Sequence, residues 1–232
     1  MPVDDKWLLI RNYDLWAHLS NDEYEELKVT HNYIEAKRGE YVYFEAFNHN
    51  KLYFIKDGHI RIGYIDDDGN EIVKEIIRKG EIFGQITLEK NNLNGEFAQA
   101  HKSDVSLCAF TIQDFENILR KKPELALKFS KQVGTKLRTM EIRLMQLINK
   151  DVRARLLHFL LQLLPATLDA SSTSFSVPNH FTHEDIASLI GSSRQTVTTL
   201  ISELTLEGLV SFSRQEIHLP DVKKLQKLVT VV

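Results

Sequence analysis

The chain has 232 residues, enough for two domains with buried cores. Its 26% charged and 43% apolar residues are typical of a globular protein and exclude a disordered chain, and no apolar run approaches the ~20 residues of a membrane helix. The single cysteine, Cys108, excludes an internal disulfide and a cysteine-only zinc or iron–sulfur site within one chain. The acidic start lacks a signal-peptide pattern, which predicts a cytoplasmic protein with no membrane partner.

The first predicted element is a helical lid over residues 4–28. Within it, Ser20 followed three residues later by Glu23 forms a capping box. Over residues 29–110 the apolar residues recur with a period of two, and turns containing glycine separate the short segments. This pattern predicts an all-β sandwich or barrel. Cys108 lies in one of the alternating segments, so we expect it to be a buried small hydrophobe.

The order of motifs in this region is similar to that of a known domain. RGE occurs at 38–40, LYFI at 52–55, HIRI at 59–62 and GEIFG at 80–84. This order resembles the β-roll of cyclic-nucleotide-binding domains. The resemblance implies a sensor domain over residues 1–118 with a double-stranded β-helix, or jelly-roll, fold.

The same resemblance implies a ligand pocket, but this sequence departs from its relatives there. Cyclic-nucleotide binders carry Gly-Glu at the pocket entry, with the Glu accepting the ribose hydroxyl, and about ten residues later an Arg that neutralises the phosphate. Here the first pair is Gly84-Gln85, the second position falls at 94–98, and no Arg or Lys lies between Asn91 and His101. A Glu beside a buried phosphate is repulsive and costly to desolvate.

We therefore predict that the chain does not bind cAMP or cGMP by the usual contacts. The pocket takes a different small-molecule effector, unknown from sequence, or none. The predicted pocket residues are Gly84, Gln85, Ile86, Glu96, Phe97, Met140 and Glu141.

Two other ligands are less favoured. The acidic cluster at 66–68 could hold calcium, but no Glu follows at the spacing of an EF-hand loop, and such a cluster before Gly-Asn is typical of a solvated hairpin tip. Haem occurs in the wider family, and His49, His59 or His101 could bind it, but a lone His on a strand is more often a surface or satisfied residue. We predict no metal and no cofactor.

Helical periodicity begins at Thr111, with a short helix over 113–120 and a longer one that restarts at Pro123. Seven positions of the longer helix alternate in spacing between four and three, which is a heptad pattern, and six of them are apolar. They are Ala126, Ser130, Val133, Leu137, Met140, Leu144 and Leu147. A narrow stripe on a helix of ~26 residues suits a partner helix better than a globular core.

We therefore predict a parallel homodimer through residues 119–149. Its interface consists of Ala126, Val133, Leu137, Met140, Leu144 and Leu147. Off this stripe, we expect Phe129, Ile142, Met145 and Ile148 to pack on the β domain. The alternative is that the whole helix packs on its own β domain.

Residues 150–232 predict a winged helix-turn-helix. Asp151 is expected to cap one helix, and Thr182, with Asp185 three residues later, a second. Gly191 supplies the left-handed turn that ends this helix, and Ser192 or Ser193 caps the third. Residues 207–219 then predict a turn and two short strands, the wing. A short amphipathic helix follows over 222–228.

The run GSSRQTVTTLISELTLEGLV at 191–210 resembles the recognition segment of the Crp–Fnr family of bacterial transcription regulators. The resemblance implies a homodimeric regulator that binds double-stranded DNA at a two-fold-related site, with RNA polymerase as a further partner. Short polar groups at the start of the recognition helix are those that reach base edges in the major groove. The predicted DNA-binding residues are Thr182, Ser192, Ser193, Arg194, Gln195, Thr196, Thr198 and Thr199.

Net charge gives this interpretation no support. The whole chain carries −3, and from Lys150 onward eight basic residues balance eight acidic ones. The local basic groups are Arg153, Arg155, Arg194, Arg214 and three histidines, His180, His183 and His218.

Two alternatives belong to other functional classes. A small-molecule-binding regulatory module that acts on a protein partner would need the missing pocket Arg and would not need the 193–199 segment. A cupin-type metalloenzyme would need a His-x-His pair, which does not occur. Since no Ser/His/Asp or paired-carboxylate arrangement stands out either, we predict that the chain is not an enzyme.

Overall fold

The structure is a computed structural model that describes residues 15–16, 20, 22–23, 32–44, 50–84, 86, 95–165 and 173–231. The chain divides into two compact units, Met1–Leu137 and Arg138–Val232. Most of the predicted N-terminal helix, together with Gln85 and His49, lies outside the described residues. The capping box that begins there is described: the Ser20 hydroxyl accepts from the Glu23 backbone N–H at 3.3 Å, and the Glu23 carboxylate accepts from the Ser20 N–H at 2.9 Å.

In the part of the first unit that the structure describes, six strands form the β domain. They are β1 (Asn32–Ala36), β2 (Tyr41–Phe44), β3 (Lys51–Ile65), β4 (Glu71–Arg78), β5 (Ile82–Gly84) and β6 (Glu96–Thr111). The two long strands β3 and β6 pair with each other, and each also pairs with two short strands: β5 and β4 along β3, and β1 and β2 along β6. All pairs are antiparallel. The predicted β-roll is therefore confirmed.

The β domain has two hydrophobic clusters. One contains Trp16, Phe54, Phe110 and Phe115 together with Cys108, which is fully buried as predicted. The other lies inside the roll, and its aromatic members are Tyr43, Tyr53 and Phe83. Tyr53 and Phe83 stack with ring centroids 4.9 Å apart, and Tyr43 lies 5.8 Å from Tyr53.

Two helices follow. The first, α1 (Ile112–Lys121), is capped by the hydroxyl of Thr111, which accepts from the backbone N–H of Asp114. The second, α2 (Pro123–Asn149), is one continuous helix of 27 residues, and the division between the two units falls within it. Proline at its first position costs nothing, because the first N–H groups of a helix have no partner within the helix.

The second unit contains α3 (Val152–Gln162), β7 (Phe175–Pro178), α4 (His183–Ile190), α5 (Arg194–Leu206), β8 (Ser211–Phe212), β9 (Glu216–Leu219) and α6 (Val222–Val231). The three strands form one antiparallel sheet in the order β7-β9-β8. One hydrophobic core joins the helices to the sheet, with Leu156, Ile186, Val197, Leu204 and Ile217 fully buried. This is the predicted winged helix-turn-helix. Among the described residues, no helix has both the length and the apolar character needed to cross a membrane.

Candidate functional site

The first helix of the helix-turn-helix, α4, begins and ends as its sequence predicts. The Thr182 hydroxyl accepts from the Asp185 N–H at 3.0 Å, and the Asp185 carboxylate accepts from the Thr182 N–H at 2.7 Å, which closes a capping box. At the other end Gly191 has φ 65° and ψ 55°, a left-handed conformation that glycine adopts without steric cost. These local signals fix the turn that leads into α5.

The second helix, α5, has one buried face and one exposed face. Val197, Ile201 and Leu204 are buried in the core of the unit. Ser193 is the N-cap, because its hydroxyl accepts from the backbone N–H of Thr196 at 3.1 Å. The side chains at 193–196, 198 and 199 are all exposed. Burial of the first face therefore leaves the predicted DNA-reading segment open to an external partner.

The predicted DNA-binding residues divide into two groups. The hydroxyls of Thr182, Ser193, Thr196 and Thr198 already form hydrogen bonds within the protein. In contrast, the side chains of Arg194, Gln195 and Thr199 form no hydrogen bond or ion pair among the described residues. Gln195 and Thr199 are four residues apart and thus lie on the same helical face. Ser192 is half-buried and donates its backbone N–H to the carbonyl of Ala187 at 2.8 Å.

The sequence analysis missed a contact between the two helices of the motif. His183 Nδ1 lies 2.8 Å from the hydroxyl of Thr198, which donates its proton to the carbonyl oxygen of Arg194 at 2.9 Å. Because a hydroxyl has one proton, this arrangement makes His183 Nδ1 the donor in the first contact. Burial, and then the nearby charge of Arg194, lower the pKa of His183. Both effects favour the neutral imidazole.

Two of the basic residues noted in the sequence of this unit, Arg153 and Arg155, bind groups of the protein itself. Arg153 Nη2 donates to both carboxylate oxygens of Glu207, at 2.8 and 2.6 Å. Arg155 donates to the backbone carbonyls of Lys150, Ile190 and Gly191 at 2.8, 2.7 and 3.0 Å. Both guanidinium groups thus support the fold of the unit.

A buried asparagine holds the tip of the wing. Asn179 donates from Nδ2 to the carbonyl oxygen of Ser213 at 2.6 Å and accepts at Oδ1 from the Phe181 N–H at 2.8 Å. Its own N–H donates to the carbonyl of Gln215 at 2.8 Å. Asn179 is 6% exposed, so these bonds are shielded from water. They fix the turn that carries the exposed Arg214 relative to the start of α4. The sequence offered no periodic signal for this role.

The predicted effector pocket is brought together only in part. Glu96 is 7% exposed. Its carboxylate accepts a hydrogen bond from the Tyr43 hydroxyl at 2.8 Å and forms an ion pair with Lys74. Gly84 lies against Tyr53, and a Cβ at Gly84 would be 2.6 Å from the carbonyl oxygen of Lys51, so only glycine fits. The Tyr53 ring belongs to the same cluster as Tyr43.

The remaining pocket residues lie elsewhere. Phe97 is next to Glu96 on β6 and, because side chains alternate along a strand, it packs on the opposite face against Tyr41 and under the guanidinium of Arg61. Ile86 packs against the Trp16 cluster. Met140 and Glu141 are exposed on the part of α2 that belongs to the second unit, and Gln85 lies outside the described residues.

The residues considered as calcium or haem ligands interact with other parts of the protein. The Asp66 carboxylate accepts from the backbone N–H groups of Asp68 and Asn70, which makes this cluster a hairpin tip. His59 and His101 face each other as register partners on β3 and β6. In the part of the chain that the structure describes, no group of three or more His, Cys, Asp or Glu residues is arranged to hold a metal ion.

The apolar surface of α2 is wider than the predicted stripe. Leu137, Met140, Leu144 and Leu147 are exposed as expected for an interface, whereas Ala126 and Val133 are half-buried and Val133 packs against the core of its own unit. Phe129 is buried. The expectation that its off-stripe companions are also covered was wrong, because Ile142, Met145 and Ile148 are 40%, 54% and 67% exposed. Helical periodicity shows which residues share a face but not which face is covered.

Comparisons with known proteins agree with this architecture. A family model described as a cyclic nucleotide-binding domain matches residues 33–122, and one described as a Crp-like helix-turn-helix domain matches residues 154–228. The global nitrogen regulator of Nostoc sp. is 25% identical over 182 residues, which are 78% of this chain and 82% of that regulator. The transcriptional regulator SdrP of Thermus thermophilus is 29% identical over 179 residues, 77% of this chain and 84% of SdrP.

Solved structures share the fold. A mutant of CooA from Carboxydothermus hydrogenoformans matches with a TM-score of 0.74 at 24% identity, and the match covers 96% of this chain and 95% of CooA. The two domain matches together span most of the chain in the order of the two structural units. The chain is therefore a member of the Crp–Fnr family of transcriptional regulators, with a cyclic nucleotide-binding-like domain followed by a Crp-like helix-turn-helix domain.

Proposed function

We propose that the chain is a homodimeric, sequence-specific DNA-binding regulator whose two recognition helices, one α5 from each protomer, read a two-fold-related site. The observation that carries this proposal is the exposure of the side chains of Arg194, Gln195 and Thr199. Their side chains are exposed on one face of α5 without partners among the described residues, while the opposite face is buried. A helix held in this way presents hydrogen-bonding groups to the major groove.

Each of these side chains suits a particular contact. Arg194 pairs with guanine O6 and N7 or with a phosphate, and Gln195 reads adenine N6 and N7. The hydroxyl groups that cap the helices, including Thr182 and Ser193, lie toward the sugar–phosphate backbone, where they position the protein rather than read sequence. Relatives that read the best-known Crp site carry Glu and Arg where this chain has Gln195 and Thr199. The operator of this chain therefore differs from theirs.

Dimerisation through α2 is supported by its exposed apolar face. Four large apolar side chains of the predicted stripe, Leu137, Met140, Leu144 and Leu147, are at least 45% exposed. Covering the exposed part of each is worth about 1 kcal/mol, so two chains gain on the order of 10 kcal/mol. This gain is comparable to the association cost of about 4–15 kcal/mol, which favours a reversible dimer. Two-fold symmetry then matches half-sites about one turn of DNA apart.

The functional division follows the predicted boundaries: a sensor domain at 1–118, a dimerisation helix at 119–149 and a DNA-binding domain at 150–232. We infer that the sensor does not take cAMP or cGMP by the usual contacts, because the segment that the resemblance assigns to the phosphate-neutralising Arg carries Glu96, a buried carboxylate, and no Arg or Lys. As a transcription regulator the chain acts on RNA polymerase at a promoter, in the cytoplasm. A small-molecule-binding module that acts only on a protein partner is the less favoured alternative, because the exposed polar face of α5 would then have no role.

The experiment that tests this proposal is selection of bound fragments from a random pool of duplex DNA, with the purified full-length protein and with or without cell extract. We expect an inverted repeat to be enriched. The matched comparison is the variant Arg194→Ala, which should enrich the repeat more weakly and with relaxed preference at one position of each half-site. Failure of the wild-type protein to enrich any duplex at low salt, with and without extract, would contradict the proposed function.

A further inference from the structure

Four charged side chains from β4, β6 and α2 form two ion pairs, which together are called the network below. Glu96 of β6 pairs with Lys74 of β4, and Glu75 of β4 pairs with Lys136 of α2 at 2.8 Å. Lys74 apart, these side chains are largely buried: the side chain alone is 9% exposed for Glu96, 20% for Glu75 and 23% for Lys136. Two acids and two lysines leave the network without net charge.

An irregularity in the sheet makes this network possible. Glu75 is the register partner of Ile62 and Val73 that of Gly63, so Lys74 is an extra residue that β4 inserts between them as a bulge. Such a bulge breaks the alternation of side chains between the two faces of a sheet. Two adjacent residues of β4 thus serve one site: Lys74 reaches Glu96, and Glu75 lies close enough for its charge to act on Tyr43.

Tyr43 completes the network. Its hydroxyl donates to Glu96, and burial together with the charge of Glu96 raises the pKa of this phenol far above its ordinary range, so it stays a neutral donor. One oxygen of the Glu96 carboxylate therefore has the phenol and the other has the ammonium of Lys74. A buried carboxylate is stable only when it is paired in this way.

The network lies in the part of the domain where a ligand would be expected. The domain is similar to cyclic nucleotide-binding domains over residues 33–122, and Glu96 occupies the region where the sequence predicts the ligand phosphate to lie. In this chain that region is filled by the protein's own charges. One of them, Lys136, belongs to α2, the helix that continues without a break to Asn149.

We infer that this network takes the place of a bound effector: it fastens the β-roll to α2 permanently, so that the chain binds its DNA site without any small molecule. The inference rests on the proposed function, because DNA binding is its readout. An anionic ligand has no place here, since it would face Glu96 and Glu75 and would have to displace both ion pairs. The ligand-dependent step of a sensor is thus replaced by constant ion pairs between β4, β6 and α2.

The test compares DNA binding by four full-length proteins, with the duplex enriched by the wild type as probe. The variant Lys136→Met removes the pair with Glu75 and should weaken binding by about tenfold, in the usual range for coupling between sites. The double variant Glu75→Lys/Lys136→Glu restores the pair with reversed charges and should return binding to within about threefold of wild type. Lys131→Met, which removes an exposed lysine of α2, is the matched control and should bind like wild type.

Ligand dependence is tested in the same assay. Wild-type protein, freed of small molecules by exhaustive dialysis, should bind the duplex with the same affinity in the presence or absence of excess cAMP, cGMP or a small-molecule cell extract. Stimulation of more than about tenfold by any of these would overturn the inference. Equal affinities of Lys136→Met and Lys131→Met would overturn it too.

A second measurement does not depend on DNA. Amide hydrogen exchange in residues 130–137 of α2 should be faster in Lys136→Met than in Lys131→Met, because the fastening to β4 is lost. Unchanged exchange would overturn the inference while leaving the proposed function intact. If the wild type binds no duplex under any condition, the proposed function fails and the inference falls with it.

Discussion

Arg155 of α3 donates from Nε to the carbonyl oxygen of Ile190, the last residue of α4, at 2.7 Å. Two further bonds go from the same guanidinium to the carbonyls of Gly191 and Lys150. Carbonyl groups at a helix end have no partner within the helix, and here a side chain from a neighbouring helix supplies one. Arg155 therefore ties the residues before α3 to the turn of the helix-turn-helix.

We predict that Arg155→Met destabilises the second unit by about 2–4 kcal/mol, because hydrogen bonds from a charged donor are worth more than neutral ones and three carbonyls lose theirs. Hydrogen exchange of the α4 and α5 amides should be faster. Arg155→Lys should fall between wild type and Arg155→Met, since a single ammonium cannot reproduce the geometry of the guanidinium. Equal exchange in all three proteins would show that these bonds contribute nothing.

The side chain of Arg194 is available to DNA, whereas that of Arg153 is not. We predict that Arg194→Ala lowers specific DNA affinity by about 1–3 kcal/mol and relaxes sequence preference at one position of each half-site. Arg153→Ala removes the same charge from the same unit, but its cation is held by Glu207. It should therefore have a smaller effect on DNA binding, measured by fluorescence anisotropy at fixed salt.

If the two variants lose the same affinity, a general charge effect rather than direct readout by Arg194 would explain the result. Footprinting separates the cases further, because loss of a base contact changes the sequence protected, whereas loss of a remote charge does not.

The local parts of this site could be predicted from the sequence, since their causes lie within a few residues. Thr182 and Asp185 are three residues apart, Ser193 caps the helix that it precedes, and Gly191 supplies the positive φ of the turn. Each of these interactions depends on side chains and backbone groups that the sequence itself places next to one another.

The remaining parts depend on contacts between residues far apart in the chain. The pair between Glu75 and Lys136 spans 61 residues and requires a bulge in β4, and Arg153 meets Glu207 across 54 residues. Neither has a periodic signature. For that reason the sequence showed Arg153 and Arg155 only as local basic groups and did not reveal their partners within the protein.

Asn179 should be essential to the wing although it never needs to touch DNA. We predict that Asn179→Ala destabilises the second unit by about 1–3 kcal/mol, because the Phe181 N–H and the Ser213 carbonyl lose their hydrogen bonds to the buried Asn179 side chain. Exchange of the 211–219 amides should be faster. Ser174→Ala, which removes an exposed hydroxyl just before β7, is the control. Protection of the wing equal to that of the control would contradict the role assigned to Asn179.

The exposed face of α2 predicts the oligomeric state. Leu144 is 58% exposed, and Leu144→Glu would place a charge in the proposed seam between two helices. Since a desolvated, unpaired charge costs several kcal/mol, we expect this variant to be monomeric at concentrations at which the wild type is a dimer. Sedimentation velocity measures this directly. Lys131→Glu, on the same helix, should stay dimeric, and a monomeric wild type would contradict the assignment of this face.

Two histidines make the stability of the second unit dependent on pH. Burial lowers the pKa of His158 and His183, and the charges of Lys150 and Arg194 add to the effect. The folded protein thus favours neutral imidazoles, whereas the unfolded chain binds protons at the ordinary pKa of about 6.5. Above that pH neither state is protonated and no penalty exists. As the pH falls below it, the unfolded state gains protons that the folded state resists, and stability declines.

We therefore expect thermal unfolding of the wild type to shift to lower temperature between pH 7.5 and pH 5.5, and the double variant His158→Gln/His183→Gln to shift less. Glutamine keeps a donor for Thr198 but has no titration in this range. His101→Gln, in the first unit, is the matched control. Direct titration of the His183 ring by NMR should give a pKa below its value in the unfolded chain. A value equal to or above that of the unfolded chain would contradict the assigned cause, because burial beside Arg194 can only favour the neutral ring.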